Sequence, residues 1–258
     1  MKPSAASAET AAHGESSQVV KALLALRELI LAGKLQGGAR IAELSIVEKL
    51  GVSRTPIRAA LMRLEQEGLL DALPGGGYAV RTFSERDVSE AIELRGTLEG
   101  LAARLAAERG VAPGLLEQAG EALDAIDALL AKPALDDKAF SSYVRLNQRF
   151  HTLLGEMAAS QVIARELERV NLLPFASPSG FVVVQANSPQ ARDMLVVAQD
   201  QHRQVLEAIG QREGARAEAI MREHSRIAQR NLRAAMKSRK PAQLPGVRLI
   251  RSQRSQGE

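Results

Sequence analysis

The chain has 258 residues, 45% of them hydrophobic but only 3% aromatic, with no Trp and no Cys. Without Cys there are no disulfides, thiolate metal ligands or cysteine nucleophiles, and a core drawn from Leu, Ala, Val and Ile favours packed helices. No apolar run approaches the roughly 20 residues of a membrane span, and the N-terminus lacks an apolar signal stretch, so the expectation is a soluble cytoplasmic protein with no membrane partner.

The length suits two domains, and the net charge of +4 is unevenly spread. Residues 17–83 hold 9 basic against 6 acidic side chains, residues 84–236 hold 18 against 21, and residues 237–258 hold 6 against 1. A polyanion is therefore met at the ends of the chain.

Residues 1–16, rich in small side chains, read as a disordered leader. Val19, Leu23, Leu26 and Ile30 then recur at helical spacing up to a stop at Gly33. Ile41, Leu44, Val47 and Leu50 mark a short second helix closed by Gly51. After the turn GVS, Ser53 or Thr55 caps a third helix, Pro56 suits its first turn, Ile57, Leu61 and Leu64 form its buried stripe, and Gly68 ends it. Leu69 to Ala72, a PGGG turn and Tyr78 to Arg81 read as a hairpin. Three helices and a hairpin make a winged helix-turn-helix over residues 17–83.

At Ser84 the sequence SERD supplies a capping box, and helices follow over 85–109, 113–131, 136–158, 161–173, 190–210 and 215–238. Residues 84–238 are thus expected to form an all-α six-helix bundle, and the fold class is mainly α. The Pro-rich segment 173–189 reads as a long connector, with a lid over a pocket as the alternative. Residues 239–258 read as a basic disordered tail, with a DNA-binding arm as the alternative.

Two groups of residues carry chemistry. On the third helix Thr55, Arg58, Met62 and Gln66 fall opposite the leucine stripe, with Arg54 one turn before Arg58. Guanidinium groups then stand at a helix N-terminus, where free N–H groups also favour anions. A solvated charged face would show the same spacing. The Gly turn, the Pro entry and the following hairpin favour a recognition helix in a major groove. The segment GVSRTPIR at 51–58 resembles the G-V-S-R-T-P-[VI]-R motif of the GntR superfamily of bacterial transcription regulators, and the resemblance extends over residues 22–83. It implies that Arg54, Thr55 and Arg58 contact operator DNA and that the hairpin is a wing along the minor groove. Wings in this family often carry a basic residue beside the tip glycine; this one reads PGGG, so Gly76 and Gly77 are expected to meet phosphate through backbone N–H groups.

The second group is a set of three histidines, each interrupting an apolar row on a different helix: His151 after Asn147, His202 and His224. One such His is most simply a satisfied core residue, but three on three helices suit convergence on one ion, with Zn or Ni the expected divalent transition metal. Arg95 shares the inward face of helix 85–109 with Val88, Ile92 and Leu98. It needs a partner, either Glu99 one turn on or the carboxylate of a small ligand. These positions resemble the FCD domain of the FadR-like branch of the GntR superfamily, in which an Asp or Asn four residues before a first His, a second His opening H-x-x-[IV]-[LV]-x-A-[IL] and a third about twenty residues on bind metal. Asn147, His151, His202 in HRQVLEAI and His224 match. The resemblance covers residues 85–236, its six helices fit the shorter VanR-like form, and relatives that bind small organic acids imply an effector at Arg95.

The resulting expectation is a homodimeric transcription regulator, a repressor, binding double-stranded operator DNA under control of a small carboxylate effector at a metal-containing site, with no catalytic residues. Two alternatives use the same histidines: a metal-dependent hydrolase with Glu99 or Glu156 as base, and a protein that senses the metal itself.

Overall fold

The computed structural model describes residues 5–132, 135–173, 175–178, 191–237 and 247–251. The chain divides into two compact units, residues 1–84 with 240–258, and residues 85–239.

In the first unit, α1 (Ala5–Leu31), α2 (Glu43–Leu50) and α3 (Arg54–Gln66) are followed by β1 (Leu70–Ala72), β2 (Tyr78–Val80) and β3 (Phe83–Ser84). Gly51 closes α2 in the left-handed region, its N–H donating to the Val47 carbonyl, and so sets the short turn into α3. Leu26 and Ile30 of α1 bury with Ile57, Leu61 and Leu64 of α3. β1 and β2 form an antiparallel hairpin with Leu70 opposite Val80. Residues 38–41 lie along its other edge, where Ile41 N–H donates to the Tyr78 carbonyl and Arg40 stands opposite Ala79.

Both termini depart from the sequence expectation. Helix α1 begins at Ala5, inside the stretch read as a disordered leader, because its run of Ala with Glu9 favours helix and contains no proline. The tail read as disordered is ordered over its apolar residues: Val247–Leu249 make a 3-10 turn, and Ile250–Arg251 form β4, parallel to β3 with Phe83 opposite Ile250. Val247, Leu249 and Ile250 are buried. The surrounding basic residues hide this short apolar run in a composition count. The expected lid or connector lies outside the described residues apart from 173 and 175–178.

The second unit contains six α-helices among the described residues: α4 (Glu85–Arg109), α5 (Pro113–Leu130), α6 (Asp137–Met157), α7 (Gln161–Leu172), α8 (Ala191–Gly210) and α9 (Gly214–Lys237). Pro113 starts α5, and the Asp136 carboxylate caps α6 by accepting from Ala139 N–H at 2.7 Å. Leu123, Ile126, Phe150, Leu153, Val205 and Met221 lead a core with many alanines. Small residues also allow α4 and α9 to approach: a Cβ on Gly96 would sit 2.2 Å from Ser225 Oγ, and one on Gly100 2.7 Å from Arg222 Cγ. This close packing carries Arg95 and Glu99 to the helix that bears His224.

Candidate functional site

On α3, Arg54, Thr55, Arg58, Met62 and Gln66 are exposed, while Pro56, Ile57, Ala60, Leu61 and Leu64 are buried. Ser53 occupies the N-cap without a side-chain cap bond, leaving the first N–H groups of the helix for other acceptors. Arg58 Nε donates to Glu43 Oε2 of α2 at 2.9 Å, and this carboxylate stabilises the guanidinium charge. At the hairpin tip Gly76 and Gly77 have φ of 82° and 84°, conformations that a side chain disfavours. Arg40 reaches this tip and donates to the Gly76 carbonyl at 2.9 Å. It supplies a cation beside the wing turn that PGGG lacks. No local pattern could reveal it, because it lies 36 residues away in sequence.

In the second unit, all three predicted histidines come together. His151 projects from α6, His202 from α8 and His224 from α9; each is buried and offers a ring nitrogen within 4.8 Å of the others. The ring centroids of His202 and His224 are 4.4 Å apart, and that of His151 lies 5.2 and 5.4 Å from them. Asn147, one turn before His151, is buried and lines a cavity with Arg95 and His224.

Each ring has a polar partner at its Nδ1. Glu99 is buried, and although desolvation opposes its ionisation, the charges of Arg95 and His151 and their hydrogen bonds outweigh this and keep its pKa below the ordinary value. An ionised carboxylate only accepts, so His151 Nδ1–H donates to Glu99 Oε1, at 2.7 Å. Gln199 uses its amide nitrogen on the Leu123 carbonyl and Asp127 Oδ1, which turns its oxygen toward His202 Nδ1 at 3.4 Å. Gln201 Oε1 faces His224 Nδ1 at 3.2 Å. With each Nδ1 facing an acceptor oxygen, the three Nε2 atoms are turned toward the interior.

The spacing of these nitrogens fits a cation. His151 Nε2 is buried with no hydrogen-bond partner among the described residues, and the Nε2 atoms of His202 and His224 face each other at 3.2 Å. Tetrahedral ligands at the usual zinc–nitrogen length of about 2.0 to 2.1 Å lie about 3.3 Å apart. Burial, followed by the charges of His151 and Arg95, holds His202 well below the ordinary histidine pKa; burial and the neighbouring His202, His151 and Arg95 do the same to His224. Both rings are thus in the neutral form that ligates metal.

Arg95 is buried and is paired with Glu99 only in part. Its Nη1 lies 3.3 and 3.5 Å from the Glu99 oxygens, while its Nε has no partner among the described residues. The cavity shared by Arg95, Asn147, Tyr143, Leu195, His224 and Asn231 has a volume of about 30 Å³, room for roughly one water. A larger pocket of about 390 Å³, lined by Glu99, His151, Thr152, Leu167 and Asn171, shares two residues with the centre. The orienting amides carry little signal in the sequence. Gln199 lies one turn before His202, a spacing that could have suggested it, but Gln201 serves a histidine on another helix.

Comparison with known proteins places both units. Residues 18–80 match the family described as bacterial regulatory proteins, gntR family, and residues 90–226 match the FCD domain. The chain is 32% identical over 152 residues to the HTH-type transcriptional regulator YdhC of Bacillus subtilis (strain 168), covering 57% of this chain and 63% of that protein. It is 25% identical over 204 residues to the HTH-type transcriptional repressor GlaR of Escherichia coli (strain K12), covering 77% of this chain and 88% of that one. Among solved structures, E. coli McbR/YncC shares the fold with a TM-score of 0.62 at 20% identity, over 85% of this chain and 99% of that one. Both relatives are HTH-type transcriptional regulators, a class of protein that the hydrolase alternative does not describe. The chain belongs to the gntR family of bacterial regulatory proteins, in the branch that carries an FCD domain.

Proposed function

We propose that the protein is a cytoplasmic transcriptional repressor that binds operator DNA as a homodimer, and that a small carboxylate acting at a metal-containing centre in the FCD unit controls its affinity. The observation that carries this reading is the convergence of three buried imidazoles whose outer nitrogens are all engaged. His151, His202, His224 and Asn147 would hold a divalent transition metal, Zn or Ni by the chemistry of a nitrogen-rich donor set. Such an ion supplies a Lewis-acid position for an acid's oxygen.

Charge favours an anionic effector. Asn147 and neutral histidines bring no negative charge, and Glu99 balances only Arg95, so a divalent ion leaves the buried site positive. The unpartnered Arg95 Nε supports a carboxylate there. A cavity of about 30 Å³ admits no organic acid as it stands, so binding requires side chains or helices to shift. That requirement gives the effector unequal affinity for two conformations, without which nothing switches. The same small volume suits the second reading, in which the metal alone is the signal.

On the DNA side, exposure of Arg54, Thr55 and Arg58 beside the free α3 N-terminus supports their placement in a major groove, with Gly76 and Gly77 at the wing. A gel-shift on the intergenic region upstream of the protein's own gene tests the whole reading, with zinc or nickel and a panel of small organic acids added separately and together. Release by acid only in the presence of metal supports effector sensing, and release by metal alone supports the metal sensor. Binding that responds to neither contradicts both.

A further inference from the structure

Three acceptors orient the three imidazoles, and only one of them is charged. Gln199 and Gln201 offer amide oxygens to His202 and His224, whereas Glu99 offers a carboxylate to His151 at the shortest of the three distances. Its side chain is 2% exposed, and the same oxygen lies 2.7 Å from His151 but 3.5 Å from Arg95. The carboxylate therefore serves the imidazole more directly than the guanidinium.

We infer that Glu99 is a positioning residue for the three-His centre: it fixes the proton of His151 on Nδ1, aims Nε2 inward and makes this imidazole the strongest donor of the three. The inference rests on the metal reading above and adds a residue that sets its affinity. An anionic acceptor behind a ligating histidine raises the basicity of the ring and fixes its orientation. Asn147 brings no charge to the metal, so the negative charge a ligating carboxylate would contribute comes instead from one bond further out. A purely structural Glu99 would serve only to neutralise Arg95, and the two roles predict opposite behaviour of the neighbours.

The test uses the full-length chain, freed of metal by chelation and titrated with zinc against a chromophoric chelator. Glu99→Gln, which keeps the shape and removes the charge, is expected to weaken zinc binding about tenfold or more. Arg95→Met removes a nearby positive charge and leaves the Glu99 carboxylate on His151, so it is expected to tighten zinc binding. Equal affinity of Glu99→Gln and wild type, or equal weakening by both substitutions, would overturn the inference. Nitrogen-15 shifts of histidine in the metal-free wild-type chain give a readout independent of folding losses. A proton on Nδ1 of His151 upholds the hold of Glu99, and one on Nε2 overturns it. A wild-type chain that binds no zinc would remove the metal reading itself, while the shifts would still decide the role of Glu99.

Discussion

Among the described residues Arg58 pairs with Glu43; the guanidinium is exposed and the carboxylate half-buried, so the ion pair contributes little and is screened by salt. A base edge read in a groove is worth more than such a pair. Arg58→Ala is accordingly expected to weaken operator binding roughly tenfold to a hundredfold, whereas Glu43→Gln shifts it by no more than about threefold; fluorescence anisotropy at fixed salt measures both, and unchanged affinity of Arg58→Ala would exclude it from readout. The buried histidines make a different statement about single residues. His202 and His224 have depressed pKa values in the folded, metal-free chain, so the unfolded chain binds more protons in acid. Their stabilising contribution is complete above the unfolded value of about 6.5 and is lost as pH falls from there toward the depressed folded values. Urea midpoints of chelator-treated protein should fall between pH 7.5 and 5.5, with a shallower fall in His202→Phe; a flat profile would contradict the burial of neutral rings. The three histidines were legible in the sequence because each breaks an apolar row at helical spacing. Arg40 and Gln201 were not, because their partners lie on other elements and only the folded chain brings them close.

At the level of elements, the approach of α4 to α9 positions the centre. Gly96→Ala places a methyl group 2.4 Å from Ser225 Cβ, an atom that no rotamer can move aside. The overpacking cost of about 1 to 3 kcal/mol exceeds the helix-propensity gain of about 1 kcal/mol, because the helices must separate. Its Tm is expected to fall by a few degrees, and a rise would show that the helices have room. The C-terminal turn and strand offer a second test. Leu249 is 1% exposed, and Leu249→Ala should cost about 2 to 5 kcal/mol if the segment is part of the first unit's core; thermal unfolding identical to wild type would show that it is not. Helices α2 to α9 were readable from apolar periodicity, Gly stops and Pro starts. The two ends were misread for different reasons: an alanine-rich leader has helix propensity without amphipathic pattern, and VRLI is too short to register within a basic tail.

Across the whole molecule, two units carry two different clusters of functional side chains, one cationic and exposed, the other buried and nitrogen-rich. The motif GVSRTPIR and the histidine spacing made both units legible through family resemblance, and the matches over residues 18–80 and 90–226 agree. Volume was not legible: nothing in the order of residues indicates that the space beside Arg95, lined by Tyr143, Leu195 and Asn231 from different helices, is only about 30 Å³. On the proposed reading, regulation by an acid would require movement in the bundle, with the energy supplied by the acid's contacts with Arg95 and the metal. The claim beneath all of this is that three Nε2 atoms share one cation. X-ray absorption at the zinc and nickel edges of protein purified without chelator tests it most directly. The account predicts one edge with an imidazole shell of three rings at about 2.0 to 2.1 Å; the absence of an edge, or a shell that survives His202→Ala unchanged, would contradict it.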